Sequence, residues 1–111
     1  MTMLHALFGN ETAAKILLYV ENYDEGTPSG IARTFGMNKN RIYTQLLRLE
    51  AEGILVAKKS ENLRIFSFNP RMPFKTELKS LLRKSLNLMP EKEFDRFFTQ
   101  RRRPRRTGKE L

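Results

Sequence analysis

The sequence contains no cysteine and a single histidine, His5. Without cysteine the chain has neither a disulfide framework nor a thiolate metal site, and one histidine does not make a ligand cluster. No apolar run approaches the length of a membrane span, and no signal peptide is visible. These absences favour a cytoplasmic protein without a metal, another cofactor or a membrane partner.

Acidic residues are few relative to basic ones. The 111 residues include 21 Lys or Arg against 12 Asp or Glu, which gives a formal net charge of +9. The basic excess lies in residues 33–84 and 101–111, whereas residues 1–32 are acidic. Such an excess favours nucleic acid, acidic protein surfaces or anionic lipid as partners.

Catalytic patterns are also missing from the sequence. The chain has no Gly-rich phosphate loop, no metal-ligand spacing and no nucleophile beside a base. Its acidic and basic residues fall on helix faces of the kind that solvent covers. We therefore expect no enzymatic activity.

Residues 27–53 have the pattern of two short helices joined by a tight turn. Thr27 and Pro28 are a favourable N-cap and first position for the first helix. Gly36 suits the positive φ at which a helix often ends, and Asn38 suits the N-cap of the second helix. The second helix has one apolar stripe: Ile42, Leu46 and Leu49.

With that stripe turned inward, the second helix presents polar and basic side chains at its N-terminus. A helix-turn-helix presents its recognition helix to the DNA major groove in this way. Asn bonds adenine edges, Arg and Lys bond guanine, Thr contacts the thymine methyl and Tyr bonds phosphate. The alternative is a solvated, charged helix face. The candidate DNA-binding residues of this helix are Lys39, Asn40, Arg41, Tyr43, Thr44 and Arg48.

Two β-prone runs follow, residues 54–59 and 63–68, and the turn-prone residues between them predict a hairpin. A hairpin directly behind a recognition helix is a wing. Its basic residues then face the sugar-phosphate backbone or the minor groove, and Arg64 can swing outward near the tip. The alternative is a basic, soluble hairpin without a contact role. The wing candidates are Lys58, Lys59 and Arg64.

Two further helices are predicted at the C-terminal end of the domain, which we place at residues 1–100. The first begins at Phe74 and carries Leu78, Leu81, Leu82 and Leu88 on one face; the second has Pro90 as its first residue. Three phenylalanines on a short terminal helix are difficult to bury in a small monomer, so they predict a homodimer through the terminal helices. The alternative is that they fold back onto the monomer core. They are Phe94, Phe97 and Phe98.

Residues 101–111 are rich in arginine and interrupted by Pro104. A block of like charge broken by proline predicts a disordered basic tail. Such a tail can lie in the minor groove or across phosphates. The alternative is a solubilising tail without a specific role. Its candidate DNA-binding residues are Arg101, Arg102, Arg103, Arg105 and Arg106.

Short motifs occur in a fixed order between Leu7 and Lys84: Leu7-Phe8-Gly9, Ala14-Lys15-Ile16-Leu17-Leu18, Ile31-Ala32, Gly36, Leu46, Leu49-Glu50, Gly53-Ile54-Leu55, Asn62, Arg64, Phe66, Asn69-Pro70, Pro73, Glu77-Leu78 and Leu81-Leu82. In these motifs the chain resembles winged-helix regulators of the broad ArsR-like and MarR-like kind. It is most similar to the small winged-helix domains found beside, or fused to, minimal nucleotidyltransferases. The resemblance covers roughly seven-tenths of the chain.

This resemblance implies a mostly helical α+β fold, a winged helix-turn-helix with a two-stranded wing, followed here by extra C-terminal helices. It also implies a protein that is often dimeric, binds double-stranded DNA and regulates transcription; we interpret this chain as a repressor. By position it adds Asn38 at the recognition helix and Asn62 in the wing to the candidate DNA-binding residues.

The chain departs from those relatives in two ways, which argue against metal sensing and nucleotidyl transfer as its function. Metal-sensing members use Cys and His ligands, which this chain lacks apart from His5. The Gly-Ser and paired-acid motif of the nucleotidyltransferases is also missing, so any such enzyme is a separate chain. The alternative function is an adaptor that docks a separate partner protein through the Phe-rich last helix. A basic wing and tail also suit RNA, but no aromatic stacking platform for single strands is apparent.

Overall fold

The computed structural model describes residues 2–99; Met1 and residues 100–111 lie outside this range. No described helix is long and apolar enough to cross a membrane. The described elements, in chain order, are α1 (Thr2–Phe8), α2 (Glu11–Tyr23), α3 (Pro28–Phe35), α4 (Lys39–Ala51), β1 (Leu55–Ser60), β2 (Leu63–Phe68), α5 (Lys75–Leu88) and α6 (Glu91–Phe98).

Helix α2 lies at the centre of the helical core. The side chain of Asn10 caps its N-terminus by accepting a hydrogen bond from the Ala13 amide at 3.0 Å. Ile16, Leu18 and Val20 have no exposed surface. A helix that is apolar around most of its circumference has to be enclosed. The other five described helices and β2 accordingly all contact α2.

The predicted hairpin is present, and its base is joined to the end of α2. Strands β1 and β2 are antiparallel in a register that pairs Leu55 with Phe68. Gly26 and Phe66 exchange two backbone hydrogen bonds, at 2.9 and 2.8 Å, and so add a short third segment to the sheet. A Cβ atom at Gly26 would lie 2.8 Å from the Tyr19 ring.

Helix α5 is held against α2 by two ion pairs to one buried carboxylate. Glu21 is 8% exposed, and its oxygens lie 2.8 Å from Lys79 Nζ and 3.3 Å from Arg83 Nε. The ion pairs turn this side of α5 toward α2. Leu82 and Leu86 lie on the same side and are buried in the core.

The orientation of α5 differs from the predicted apolar face. Leu82 is buried and Leu78 is half-buried, but three other members of that face are exposed. The exposed fractions are 51% for Phe74, 38% for Leu81 and 68% for Leu88. The difference arises because the pairing of Glu21 with α5 fixes which side of the helix faces inward.

The prediction that the phenylalanines of the last helix form an exposed surface is wrong. Phe98 is 2% exposed, and Phe94 and Phe97 are half-buried against the core. Phe35, the last residue of α3, receives the rings of Phe97 and Phe98 at centroid distances of 5.1 and 5.9 Å. Helix α6 therefore folds back onto its own chain. Pro90 is its N-cap rather than its first residue.

The described residues thus form a mostly helical α+β structure with a helix-turn-helix, a hairpin behind it and two further helices. This arrangement is the winged helix-turn-helix that the sequence predicts. Helices α3 and α4 are the helix-turn-helix, and β1 and β2 are the wing.

Candidate nucleic-acid interface

The turn between α3 and α4 is closed by the residues that the sequence predicts. Gly36 has a φ of 63°, and the Met37 amide donates to the Ala32 carbonyl at 2.9 Å. Asn38 Oδ1 accepts from the amides of Asn40 and Arg41 at 2.7 and 3.2 Å. Two of the orphan amides at the helix start are thereby satisfied. Asn38, which is also a DNA-binding candidate, therefore acts as the N-cap of α4.

The exposed side of α4 carries most of the contact residues that were predicted on this helix. Ile42, Leu46 and Leu49 are buried, which confirms the predicted inward stripe. The Thr44 hydroxyl donates to the Asn40 carbonyl at 2.9 Å. The exposed residues of the helix thus include five of the predicted candidates: Lys39, Asn40, Arg41, Thr44 and Arg48.

Arg64 connects the wing to α4 instead of pointing outward. Its Nη2 donates to both carboxylate oxygens of Glu50, at 3.1 and 2.9 Å, and its Nη1 donates to the Tyr43 hydroxyl at 3.4 Å. The guanidinium also lies 5.1 Å from the centroid of the Phe66 ring. The Tyr43 hydroxyl, with the charge of Glu50, holds the pKa of Arg64 above its ordinary value. The outward orientation expected for Arg64 is therefore not found.

Arg64 turns inward because two partners on α4 lie along the same side of that helix. Tyr43 and Glu50 are seven residues apart, which is close to two helical turns. The seven-residue spacing can be read from the sequence. Nothing in the sequence, however, indicates that these two residues of α4 face Arg64 on β2. Glu50 is the residue of this contact that the sequence analysis did not single out.

The two wing lysines lie on opposite faces of the hairpin. Lys59 pairs with Arg64, and Lys58 pairs with Ile65. Consecutive strand residues point to opposite faces, and directly paired residues share a face. Lys59 is thus on the Arg64 face, whereas Lys58 is on the other. Both lysines, and Asn62 at the tip, are exposed.

Gln45 was not among the candidates, but it contacts one of the predicted interface residues. Its Oε1 accepts from Asn10 Nδ2 at 2.9 Å and from Arg48 Nε at 3.0 Å. Gln45 therefore links the start of α2 to α4 and orients one predicted contact residue. Arg33 on α3 is a cation that was not among the candidates, and it is exposed.

The tail candidates lie outside the described residues: Arg101, Arg102, Arg103, Arg105 and Arg106. Within residues 2–99 no group of three His, Cys, Asp or Glu side chains is placed to hold a metal ion. The described part of the predicted interface thus consists of α4, the turn before it and the tip of the wing.

One solved structure is similar in fold to this chain, a mutant of Lactococcus lactis ZitR in its apo form. The TM-score is 0.53 and the sequence identity 14%, over 85% of this chain and 80% of the other. At this identity the likeness supports the winged-helix fold. No family model matches the sequence, and no curated protein matches it.

Proposed function

We propose that this protein is a sequence-specific, double-stranded DNA-binding regulator of transcription that acts as a repressor. The observation that carries the proposal is the exposed, basic N-terminal half of α4, held by the Asn38 cap and flanked by a basic wing. A helix end of this kind fits the major groove. Asn40 and Thr44 are proposed to contact bases, and Lys39, Arg41 and Arg48 to contact phosphates or guanine.

The charge distribution supports the same assignment. Lys39, Arg41 and Arg48 are exposed on α4, and Lys58 and Lys59 are exposed on the wing. About three or four phosphate contacts from these side chains give a log–log slope of affinity against salt of about −3 to −4. Asn62 is proposed to lie near the backbone at the wing tip.

DNA binding is tested by fluorescence anisotropy on a random duplex over a series of salt concentrations. The full chain is compared with a full-length variant in which the five tail arginines are replaced by glutamine. We expect this five-glutamine chain to bind with the slope of about −3 to −4 that the folded part supplies. Loss of all binding in that variant would contradict the proposal and favour the adaptor function.

Single substitutions then identify which side chains of α4 contact DNA. Arg41→Ala and Arg48→Ala are each expected to weaken binding and to reduce the salt slope by about 1. Asn40→Ala and Thr44→Ala are expected to relax sequence preference in a selection from random duplexes. Lys92→Ala removes an equal charge from the first turn of α6 and is the matched control. An equal effect of Lys92→Ala would contradict the assignment of α4.

We also propose that the protein is a homodimer, so that two copies of α4 enter successive major grooves about 34 Å apart. Because Phe94, Phe97 and Phe98 pack on their own chain, the contact surface lies elsewhere. The exposed stripe of α5 is the candidate: Phe74, Leu81 and Leu88 are spaced seven residues apart.

The charges beside this stripe favour a second copy of the chain in antiparallel orientation. With a two-fold axis at Leu81, Phe74 of one copy lies beside Leu88 of the other, since each is seven residues from the axis. Exposed Glu77 and Lys84 flank Leu81 on one side of the helix. In an antiparallel pair each Glu77 then lies beside Lys84 of the other copy, and this symmetric contact forms two ion pairs.

A further inference from the structure

An open groove of about 740 Å³ runs along α5 beside the end of α2. A volume in this range suits a small molecule. The groove is strongly basic, because one carboxylate and four cations line it: Glu21 of α2, and Lys75, Lys79, Arg83 and Lys84 of α5. Three positive charges are therefore left uncompensated, and the groove attracts anions.

Two of these cations are held in place at the groove. The Glu21 oxygens lie 2.8 Å from Lys79 Nζ and 3.3 Å from Arg83 Nε, and Arg83 also donates to the Glu21 backbone carbonyl at 3.2 Å. Lys79 Nζ lies 5.0 Å from the centroid of the Phe68 ring as well. The side chains of Lys79 and Arg83 nevertheless stay 38% and 44% exposed. Both cations are thus oriented before a ligand arrives and remain accessible to it.

The donors in the groove repeat along α5. Lys75, Lys79 and Arg83 are four residues apart, so they lie along one side of the helix over about 12 Å. Thr76 and Ser80 directly follow the two lysines, and both line the groove. A phosphate group carries three strong acceptor oxygens, so it can accept from a lysine and from the hydroxyl beside it. Two successive turns of α5 therefore each present a lysine and a hydroxyl to a phosphate group.

The groove differs from the surface proposed to contact DNA. Helix α4 is joined to the start of α2 by the hydrogen bond from Asn10 to Gln45. Glu21 lies eleven residues after Asn10, which is about 16 Å along the axis of α2. Of the groove cations, Lys84 alone also belongs to the proposed dimer contact, so it is left unchanged in the tests.

We propose that this groove binds a small molecule that carries two or more linked phosphate groups. Such a ligand reaches cations on successive turns of α5, whereas a single phosphate reaches one turn. Glu21 orients two of the cations and competes with the ligand for them. The proposal does not depend on the proposed DNA-binding function. The residues that bind the phosphates are Lys75, Lys79, Arg83, Thr76 and Ser80.

Binding is measured by isothermal titration calorimetry with inorganic tripolyphosphate at physiological ionic strength. The five-glutamine chain is used beside the native chain, because the arginines of segment 101–111 also attract polyanions. We expect one saturable site per chain in both. Lys75→Gln should weaken it about 2- to 5-fold, and Lys58→Gln, which removes an equal charge from the wing, should not. Absence of binding in the five-glutamine chain, or equal effects of the two substitutions, overturns the proposal.

Glu21→Gln separates a binding groove from a purely structural ion-pair cluster. The amide keeps an acceptor oxygen but has no charge, so Lys79 and Arg83 become free to bind phosphate. Affinity for tripolyphosphate should then rise about 2- to 5-fold. An unchanged or lower affinity in a variant that is folded by circular dichroism overturns the proposal. If Glu21→Gln is unfolded, Lys75→Gln decides the question, because Lys75 takes no part in the Glu21 ion pairs.

Two further titrations define the ligand. Inorganic phosphate should bind at least about tenfold more weakly than tripolyphosphate, because a second linked phosphate binds intramolecularly. Equal affinity for the two anions overturns the requirement for linked phosphates. Adenosine triphosphate distinguishes the two sources of such a chain: tighter binding than tripolyphosphate indicates a nucleotide, and equal binding indicates the phosphate chain alone.

The DNA assay distinguishes this proposal from the proposed function. Lys75→Gln should leave DNA affinity unchanged in fluorescence anisotropy. A loss of DNA affinity equal to that of Arg41→Ala would make the groove a contact to the DNA backbone and overturn the small-molecule site. Because calorimetry is done without DNA, absence of tripolyphosphate binding would leave the proposed regulator function intact.

Discussion

The side chain of Arg64 connects the wing to α4. It reaches Tyr43 in the middle of α4 and Glu50 at its last turn, and it lies over Phe66 on its own strand. With a raised pKa it stays cationic at any working pH. We infer that Arg64, held by contacts to two residues of α4 and by Phe66, positions the hairpin against α4.

Glu50→Gln tests this role, because the two interpretations of Arg64 predict opposite changes in DNA affinity. Removal of a negative charge near DNA should raise affinity if Arg64 is released to bind phosphate. If Arg64 positions the wing, affinity should fall instead, by up to about fivefold, since a half-exposed ion pair is worth up to about 1 kcal/mol. We expect the fall, with an unchanged salt slope in the anisotropy assay. The exchanged pair, Glu50→Arg with Arg64→Glu, should recover part of the affinity; no recovery would indicate a direct phosphate contact.

At the scale of the element, α4 depends on its first turn both for stability and for its proposed function. The Asn38 side chain accepts two amide hydrogen bonds there, and the exposed candidates begin with the next residue. Fraying of this turn would move Lys39, Asn40 and Arg41 together. The cap therefore couples the local stability of the helix to the geometry of the proposed contact surface.

Asn38→Ala is expected to cost about 1 kcal/mol of unfolding free energy, which is typical for loss of an N-cap. DNA affinity should fall with it, because the first turn frays. Asn38→Ser restores a capping oxygen and should recover both quantities, as measured by denaturant unfolding and anisotropy. Recovery of stability without recovery of affinity or sequence preference would mean that the Asn38 amide itself contacts DNA.

At the scale of the whole molecule, the described residues leave large apolar side chains exposed on two helices. Phe74 at the N-cap of α5 and Leu81 and Leu88 within it are exposed, and so are Met3 and Leu7 on α1, at 82% and 65%. Contiguous exposed apolar surface is typical of association sites. In the dimer that we propose, Glu77 and Lys84 make the α5 stripe specific for an antiparallel copy of itself.

Charge exchange tests this dimer by sedimentation velocity. Glu77→Lys and Lys84→Glu should each be largely monomeric, because each places like charges opposite each other across the two-fold axis. A mixture of the two variants should form a heterodimer, since every contact then joins opposite charges. Lys75→Glu, on the side of α5 that faces the core, is the charge-matched control. Unchanged dimers in both single variants, or no association in the mixture, would contradict the proposed register.

The local features of the fold were predictable because short-range chemistry decides them. Thr27 and Asn38 are N-caps where the sequence placed them, and Gly36 has positive φ. The spacing of Ile42, Leu46 and Leu49 predicted which side of α4 is buried, and therefore which side is exposed. The α1 helix was missed because so short a segment has no periodicity to read.

The sequence by itself determined the order of the elements from α3 onward, the N-caps of α3 and α4 and the polar face of α4, because each depends on residues within a few positions of one another. Only the tertiary structure decided the contacts of Glu21 with α5, Phe35 with α6 and Arg64 with Glu50. Arg64 and Glu50 are 14 residues apart and Glu21 and Lys79 are 58 apart, and the two bonds that attach the end of α6 join residues 74 and 76 positions apart. A charged or aromatic side chain has many complementary partners in such a chain, and packing of the whole core selects one of them.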